Sequence, residues 1–321
     1  MPHKFNDETT AEEAASFFAS EIKGKTVLVT GATWGGLGAE FARVIAKYGA
    51  GLVIVGGRKQ ESLDDTIKKI KEETPEANLY PLIIDLASLT SIRQAAKEVS
   101  KLPEPIDILV NNAAIVASPY STTADGFEAH FGTNHLGPFL FTNLILPRVL
   151  ASKTGDPRVV NISSEEHHCS PIRWKDVGFN AGKDYEKWQA YGQSKTANIL
   201  FALELSNRYK VKGLNAFSLH PGTIETNLIN HFGLEEEMKT MVDPAGKPLV
   251  SYKWKTIPQG TSTHIVAAFD PSIKDQSGSY LEDAQVNNAA ANKYALDEAN
   301  ARELWSLSER LIGQQFDSIS Q

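Results

Sequence analysis

Tyr191 and Lys195 stand four residues apart in Tyr191-Gly192-Gln193-Ser194-Lys195, a spacing that puts both side chains on one face of a helix. A phenol titrates near pH ~10, and a cation beside it favours the phenolate. The pair therefore suits a general acid or base. Pairs of this kind also occur by chance on solvated helix faces, so the rest of the chain has to decide. Far upstream lies a second chemical element, the turn Gly31-Ala32-Thr33-Trp34-Gly35-Gly36-Leu37-Gly38. Glycines between a strand and a helix let the backbone approach a pyrophosphate, whose charge meets the N–H groups at the helix start. A third is Arg58, in Gly56-Gly57-Arg58-Lys59. It stands where an acidic residue would bind the ribose hydroxyls of NAD, and an arginine there accommodates the 2′-phosphate of NADP. Together these residues suggest redox chemistry at a carbonyl, with NADP favoured over NAD.

The elements that must position these groups can be read from the hydropathy pattern. Apolar runs at Thr26–Thr30, Gly51–Val55, Leu79–Ile84, Ile106–Val110, Val159–Ser163 and Leu214–Leu219 predict buried strands, and helix-like patterns follow them. Predicted helices cover Leu37–Tyr48, Glu61–Glu73, Ser88–Ser100, Asn134–Ala151 and Tyr191–Tyr209. This alternation predicts an α/β fold, a doubly wound parallel sheet with helices on both faces. Beyond Leu219 a helix from Pro258 toward Phe269, a short strand at Ser279–Leu281 and a terminal helix at Ala295–Ile312 are expected. No linker or repeat divides the chain. We therefore expect a polar extension over residues 1–22, then one domain over 23–321 with a helical substrate lid around 226–258.

Composition narrows the function classes. The 321 residues carry a net charge of −7 and no long basic block, so no nucleic-acid footprint is expected. No stretch approaches the ~20 apolar residues that span a bilayer, and the acidic, polar first twenty residues do not read as a signal peptide or anchor. Cys169 is the single cysteine. It excludes an intrachain disulfide and fits a reducing, cytoplasmic compartment. The run Glu165-Glu166-His167-His168-Cys169 invites a metal reading, but adjacent residues of an extended segment point to opposite sides. No metal site is expected there.

Taken in order, Thr30-Gly31 with Gly36-Leu37-Gly38, Asp85-Leu86, Asn111-Asn112-Ala113-Ala114, Asn134, Ser163-Ser164, Tyr191 with Lys195, and Pro221-Gly222 with Thr226 resemble the short-chain dehydrogenase/reductase family, which has a Rossmann fold. The phrases Val160-Asn161-Ile162-Ser163-Ser164, Glu166-His167-His168 and Leu219-His220-Pro221-Gly222 are similar to its retinol-dehydrogenase and WW-domain oxidoreductase branch. The N-terminal stretch is similar to uncharacterised fungal members.

That resemblance implies four catalytic residues. Tyr191 exchanges a proton with the substrate oxygen, Lys195 holds the nicotinamide ribose and keeps the Tyr191 pKa low, Ser164 hydrogen-bonds the carbonyl oxygen, and Asn134 supports a proton relay through water. It also implies a cofactor-binding set of Thr30, Gly31, Thr33, Trp34, Gly36, Leu37, Arg58, Asp85, Leu86, Asn112, Ala113, Tyr191, Lys195, Pro221, Gly222, Ile224 and Thr226. Asp85 is assigned to the adenine amino group or, alternatively, to a helix start. Ile224 and Thr226 are assigned to the carboxamide or the pyrophosphate. Homodimers or homotetramers are expected through the helices near Asn134 and Tyr191.

Two departures weaken the template. One extra residue separates Gly31 from Gly36-Leu37-Gly38, so either Gly35 or Gly36 takes the middle role. The stretch Glu165–Ala190 is longer than usual, and its Trp174, Phe179, Tyr185 and Trp188 either line the pocket or pack. The expected reaction interconverts an alcohol with a ketone or aldehyde on a hydrophobic small molecule, since Leu228–Trp254 is rich in apolar residues. A noncatalytic NADP-binding sensor and a nucleotide-sugar epimerase or dehydratase are the weighed alternatives.

Overall fold

The computed structural model describes residues 5–224 and 254–316. Strands β1 (Thr26–Thr30), β2 (Leu52–Gly57), β3 (Leu79–Ile83), β4 (Ile108–Asn111), β5 (Arg158–Ile162) and β6 (Asn215–Leu219) form a parallel sheet, to which β9 (Tyr280–Glu282) and β10 (Gln285–Val286) are added. The order is β10-β9-β6-β5-β4-β1-β2-β3, with β9 parallel to β6 and β10 antiparallel to β9. Register is set through the middle of the sheet, where Val27 pairs with both Val53 and Ile108, and Asn111 pairs with Asn161. Because β1 pairs with β2 on one side and β4 on the other, the chain reverses direction of growth there. Crevices at such reversals, outside the carboxyl ends of the strands, are where open α/β sheets hold ligands.

Alternation along β1 divides the core in two. Val27 and Val29 face α1 (Ala11–Phe17), α3 (Leu37–Lys47), α4 (Gln60–Glu73) and α9 (Ile257–Phe269), whereas Leu28 faces α5 (Leu89–Val99), α7 (Gly137–Leu150), α8 (Lys187–Tyr209) and α10 (Glu298–Ile312). Both faces of the sheet are thus covered, which is why its strands read as continuous apolar runs. On the second face α10 lies over α7 and α8. Trp305 packs edge-on against Phe139, with ring centroids 4.9 Å apart, and reaches Phe201 and Tyr209.

Residues 5–22 are built into this body. Thr10 and Glu13 form a reciprocal capping box at the start of α1, a signal present in the sequence as Thr-x-x-Glu. The short helix α2 (Ala19–Ile22) follows. Phe5, Ala11, Ala14, Ala15, Phe18 and Ile22 are buried with Ile265 and Phe269 of α9. Arg43 of α3 ties the same corner together through Glu12, Glu40 and Glu73.

The predicted helix at Asn134 begins earlier. Glu128 caps a short α6 (Ala129–Phe131), which runs through a π-helical segment, Gly132–Leu136, into α7. Of the expected lid, residues 226–253 and with them Thr226 lie outside the described residues. At its described end, Trp254–Lys255 form β8 beside β7 (Thr223–Ile224), and α9 starts at Ile257.

Candidate active site

The glycine turn closes between β1 and α3. Gly35 has φ +83°, a left-handed conformation that glycine adopts without penalty, and Gly36 becomes the N-cap of α3 with no side-chain cap on the first amides. The extra residue of the turn is therefore taken up before Gly36. Gly38 is required by a close approach: a Cβ there would fall 2.6 Å from both the Gly31 carbonyl oxygen and Asn112 Nδ2. Behind the turn, buried Thr30 accepts the Asn112 and Ala113 N–H groups on Oγ1 at 3.1 Å each, and Asn112 Nδ2 donates to the Thr30 carbonyl at 2.9 Å. These three residues hold the ends of β1 and β4 together. Uncapped amides at the start of an eleven-residue helix, in a turn packed too closely for side chains, fit the pyrophosphate of a dinucleotide.

Around this cradle, Thr33 is exposed and Trp34 half-buried under the Lys69 ammonium, 5.2 Å from the ring centroid. Leu37 begins α3. Arg58 is exposed just past β2. Asp85 spends one carboxylate oxygen on the Ala87 N–H at 3.0 Å, and Leu86 is buried beside it. Pro221, Gly222 and Ile224 follow β6 at the same sheet edge, with the Lys255 stem packed against Gly222.

The catalytic candidates converge at the end of β5. Ser163 turns inward and donates to the Lys195 carbonyl at 2.9 Å, whereas Ser164 opens the 3₁₀ turn Glu165–Cys169 and its hydroxyl donates to the Glu166 carboxylate. Tyr191 and Lys195 project from α8, whose first turn is capped by Glu186. The Tyr191 phenol lies close to Ser164, whose hydroxyl favours its charged form. The Lys195 ammonium lies 5.4 Å from the tyrosine ring centroid and donates to the Ile162 carbonyl at 3.0 Å.

Asn134 sits in the π-helical segment, where its side chain clasps the loop after β4. Oδ1 accepts the Ile115 N–H, and Nδ2 donates to the Ile115 carbonyl, each at 2.9 Å, while Nδ2 also reaches Ser194 Oγ at 3.0 Å. Its side chain thereby positions α8 and that loop. In the same loop system Asn111 Nδ2 donates to Thr142 and Asn161, both at 2.9 Å.

Burial, and next the Glu166 charge, push the Tyr191 phenol well above its ordinary range, with Ser164 opposing. Burial lowers Lys195 to about 8, with Glu166 opposing. Both shifts follow from desolvation, which disfavours whichever form is charged.

The aromatics of the long stretch mainly pack. Phe179 is fully buried with the Arg173 guanidinium 4.4 Å from its centroid, and Trp174 rests against the core. Tyr185 donates to the Ser118 carbonyl at 2.7 Å. Trp188 approaches the Tyr191 ring at 6.4 Å, so this one flanks the site.

The sequence reading missed His130 and its partner Glu128, and gave Glu166 no role at the reacting centre. His130 lies edge-on to Tyr191 at 6.1 Å. Its Nε2 accepts the Ser118 N–H, which leaves the ring proton on Nδ1 for Glu128 at 2.9 Å. Glu166 was read as part of an extended segment, whereas residues 165–169 form a 3₁₀ turn. There His167 Nδ1 donates to the Ser164 carbonyl and its Nε2 accepts the Asn292 N–H, while His168 contacts the Ala290 carbonyl. These histidines anchor the chain near Asn292, and no group of three potential ligands among the described residues could hold a metal ion.

A doubly wound sheet with a dinucleotide cradle at its reversal, and a phenol, hydroxyl and ammonium beyond it, defines an oxidoreductase dependent on a nicotinamide dinucleotide. Residues 25–237 match the short chain dehydrogenase family, and the chain belongs to it, in the retinol dehydrogenase-like branch. It is 40% identical to retinol dehydrogenase 13 of Mus musculus, over 91% of this chain and 85% of that protein. It is 34% identical to the chloroplastic short-chain dehydrogenase TIC 32 A of Brassica napus, over 96% and 94%. A crystal structure from Mycobacterium paratuberculosis superposes with TM-score 0.70 at 31% identity, covering 92% of this chain and 96% of that one. A short chain dehydrogenase from Escherichia coli CFT073, complexed with NADPH, shares the fold with TM-score 0.61 at 22% identity, over 83% and 98%. As a member of this family the chain is a dehydrogenase that acts on CH–OH groups of a small molecule. No helix among the described residues is long and apolar enough to cross a membrane.

Proposed function

We propose that the chain is an NADP(H)-dependent oxidoreductase that interconverts an alcohol with a ketone or aldehyde, on a largely apolar small molecule, with Tyr191 as general acid and base. The observation that carries this reading is that Tyr191 on α8 and Ser164 just past β5 are both buried side by side beyond the cradle, where Ser163 ties the two elements by donating to the Lys195 carbonyl. The bound nicotinamide supplies or accepts the hydride. Ser164 and Tyr191 then hold the substrate oxygen, the serine donating a hydrogen bond and the phenol giving its proton as alkoxide charge develops. Lys195, whose ammonium lies 5.4 Å from the tyrosine ring centroid, would hold the ribose of a bound dinucleotide.

Arg58 supports NADP, because it is an exposed cation with no acidic residue at the end of β2. An assembly of two or four copies on the α7–α8 face would have to meet α10, which covers it.

Tyr191→Phe tests the assignment. NADPH consumption should fall by about 10²- to 10⁴-fold with NADPH binding, followed by fluorescence titration, unchanged. Retained turnover would remove Tyr191 as the proton donor.

A further inference from the structure

Glu166 is the group in the site that reduction of a plain ketone does not use. It is 7% exposed, and its donor among the described residues is the Ser164 hydroxyl. It is also fixed in place. The His167 ring holds the Ser164 carbonyl at 2.7 Å, Thr196 Oγ1 donates to the His167 carbonyl at 3.1 Å, and the Glu166 carbonyl packs so closely on α8 that a Cβ at Gly192 would fall 2.5 Å from it. The carboxylate is therefore held at the reacting centre by the serine's own turn.

A buried carboxylate needs donors. When the Ser164 hydroxyl turns to a substrate oxygen, Glu166 loses that donor. A substrate that brings its own O–H or N–H to that point restores the bond, and one that does not leaves a stranded charge. In a carbonyl compound with a hydroxyl or amine on the adjacent carbon, donor and carbonyl oxygen are about one hydrogen-bond length apart. That matches the geometry at Ser164, whose hydroxyl bonds Glu166 while the Tyr191 phenol lies nearby on α8.

We propose that Glu166 selects carbonyl substrates bearing a hydroxyl or amino donor on the carbon next to the reacting one, and correspondingly vicinal diols or amino alcohols in the oxidative direction. The remainder of the molecule is free to be apolar. The inference rests on the reading above that Ser164 binds the reacting oxygen.

The test compares matched pairs of plain and hydroxylated carbonyl compounds of graded size, beginning with acetophenone and 2-hydroxyacetophenone, on the full chain with NADPH and NADH. Wild-type kcat/KM should favour the hydroxylated member by at least about tenfold, since a site built to bond a hydroxyl strongly rejects the analogue lacking it. In Glu166→Ala that ratio should collapse, with activity on the plain ketone rising. The isosteric Glu166→Gln, which keeps the shape of the turn, should shrink the ratio while its melting curve stays that of the wild type. Equal wild-type kcat/KM across the pairs, or a wild-type ratio retained by both variants, overturns the role of Glu166 and leaves the oxidoreductase reading standing. Failure of every pair to consume either cofactor overturns the carbonyl-reduction reading itself, and this inference with it.

Discussion

The Lys195 ammonium donates to the carbonyl of Ile162 at 3.0 Å, joining the middle of α8 to the last residue of β5. The same carbonyl also accepts from Asn198 Nδ2 at 2.8 Å. It would remain satisfied without the lysine. The charge itself is thus a cost to the fold kept for another purpose, and its removal should separate stability from activity.

Lys195→Met should accordingly stabilise the protein near neutral pH while abolishing turnover. Burial lowers the folded pKa from 10.5 to about 8, so the unfolded chain binds more protons between those values. The penalty is fully present below pH 8 and is relieved as pH rises toward 10.5. Its upper size is roughly 3 kcal/mol. Thermal melts of both proteins from pH 7 to 10.5 should show an advantage for the variant that shrinks across this window. An advantage independent of pH would mean that burial does not lower the lysine's pKa in the fold.

Arg58→Asp should exchange the preference for NADPH for one for NADH. Arg58 is exposed at the end of β2, and a charge-assisted bond to phosphate corresponds to about ten- to hundredfold in binding. The ratio of kcat/KM for the two cofactors measures it. An unchanged ratio would assign the 2′-phosphate to another group.

Gly38→Ala should act on the cradle rather than on the chemistry. The added methyl meets the Gly31 carbonyl and Asn112 Nδ2 at 2.6 Å, and overpacking of this kind costs about 1–3 kcal/mol. We expect the dissociation constant for the dinucleotide to rise at least about tenfold, with kcat at saturation close to that of the wild type. Titration of protein fluorescence gives the first and steady-state rates the second.

Deletion of residues 1–22 should destabilise the body it packs on. Phe18 and Ile22 alone lose full burial, each worth about 1.5–3 kcal/mol, and the α9 face around Ile265 is uncovered. The denaturation midpoint should drop clearly. Identical midpoints would show that the docking of α1 and α2 contributes nothing.

What the sequence by itself determined is local. The strands of the sheet were legible because burial on both faces makes them continuous apolar runs, and the glycine turn because the chain there has room for no side chain. Tyr191 and Lys195 were legible because helix periodicity puts residues four apart on one face. The capping box at Thr10 and Glu13 was equally local, and attending to it would have revealed α1. β10, at two residues, is too short to carry a pattern.

The tertiary structure decided what depends on groups distant in the chain or on burial. Asn134 meets Ile115 nineteen residues away, and His167 meets Asn292 at a separation of 125. No periodicity encodes such pairs. The direction of the Tyr191 shift was likewise out of reach, because helix spacing shows the neighbouring cation but not how much solvent is removed from the phenol, nor that a 3₁₀ turn brings Glu166 beside it. Spacing places charges along one element, whereas desolvation and contacts between elements arise only when the chain has closed around them.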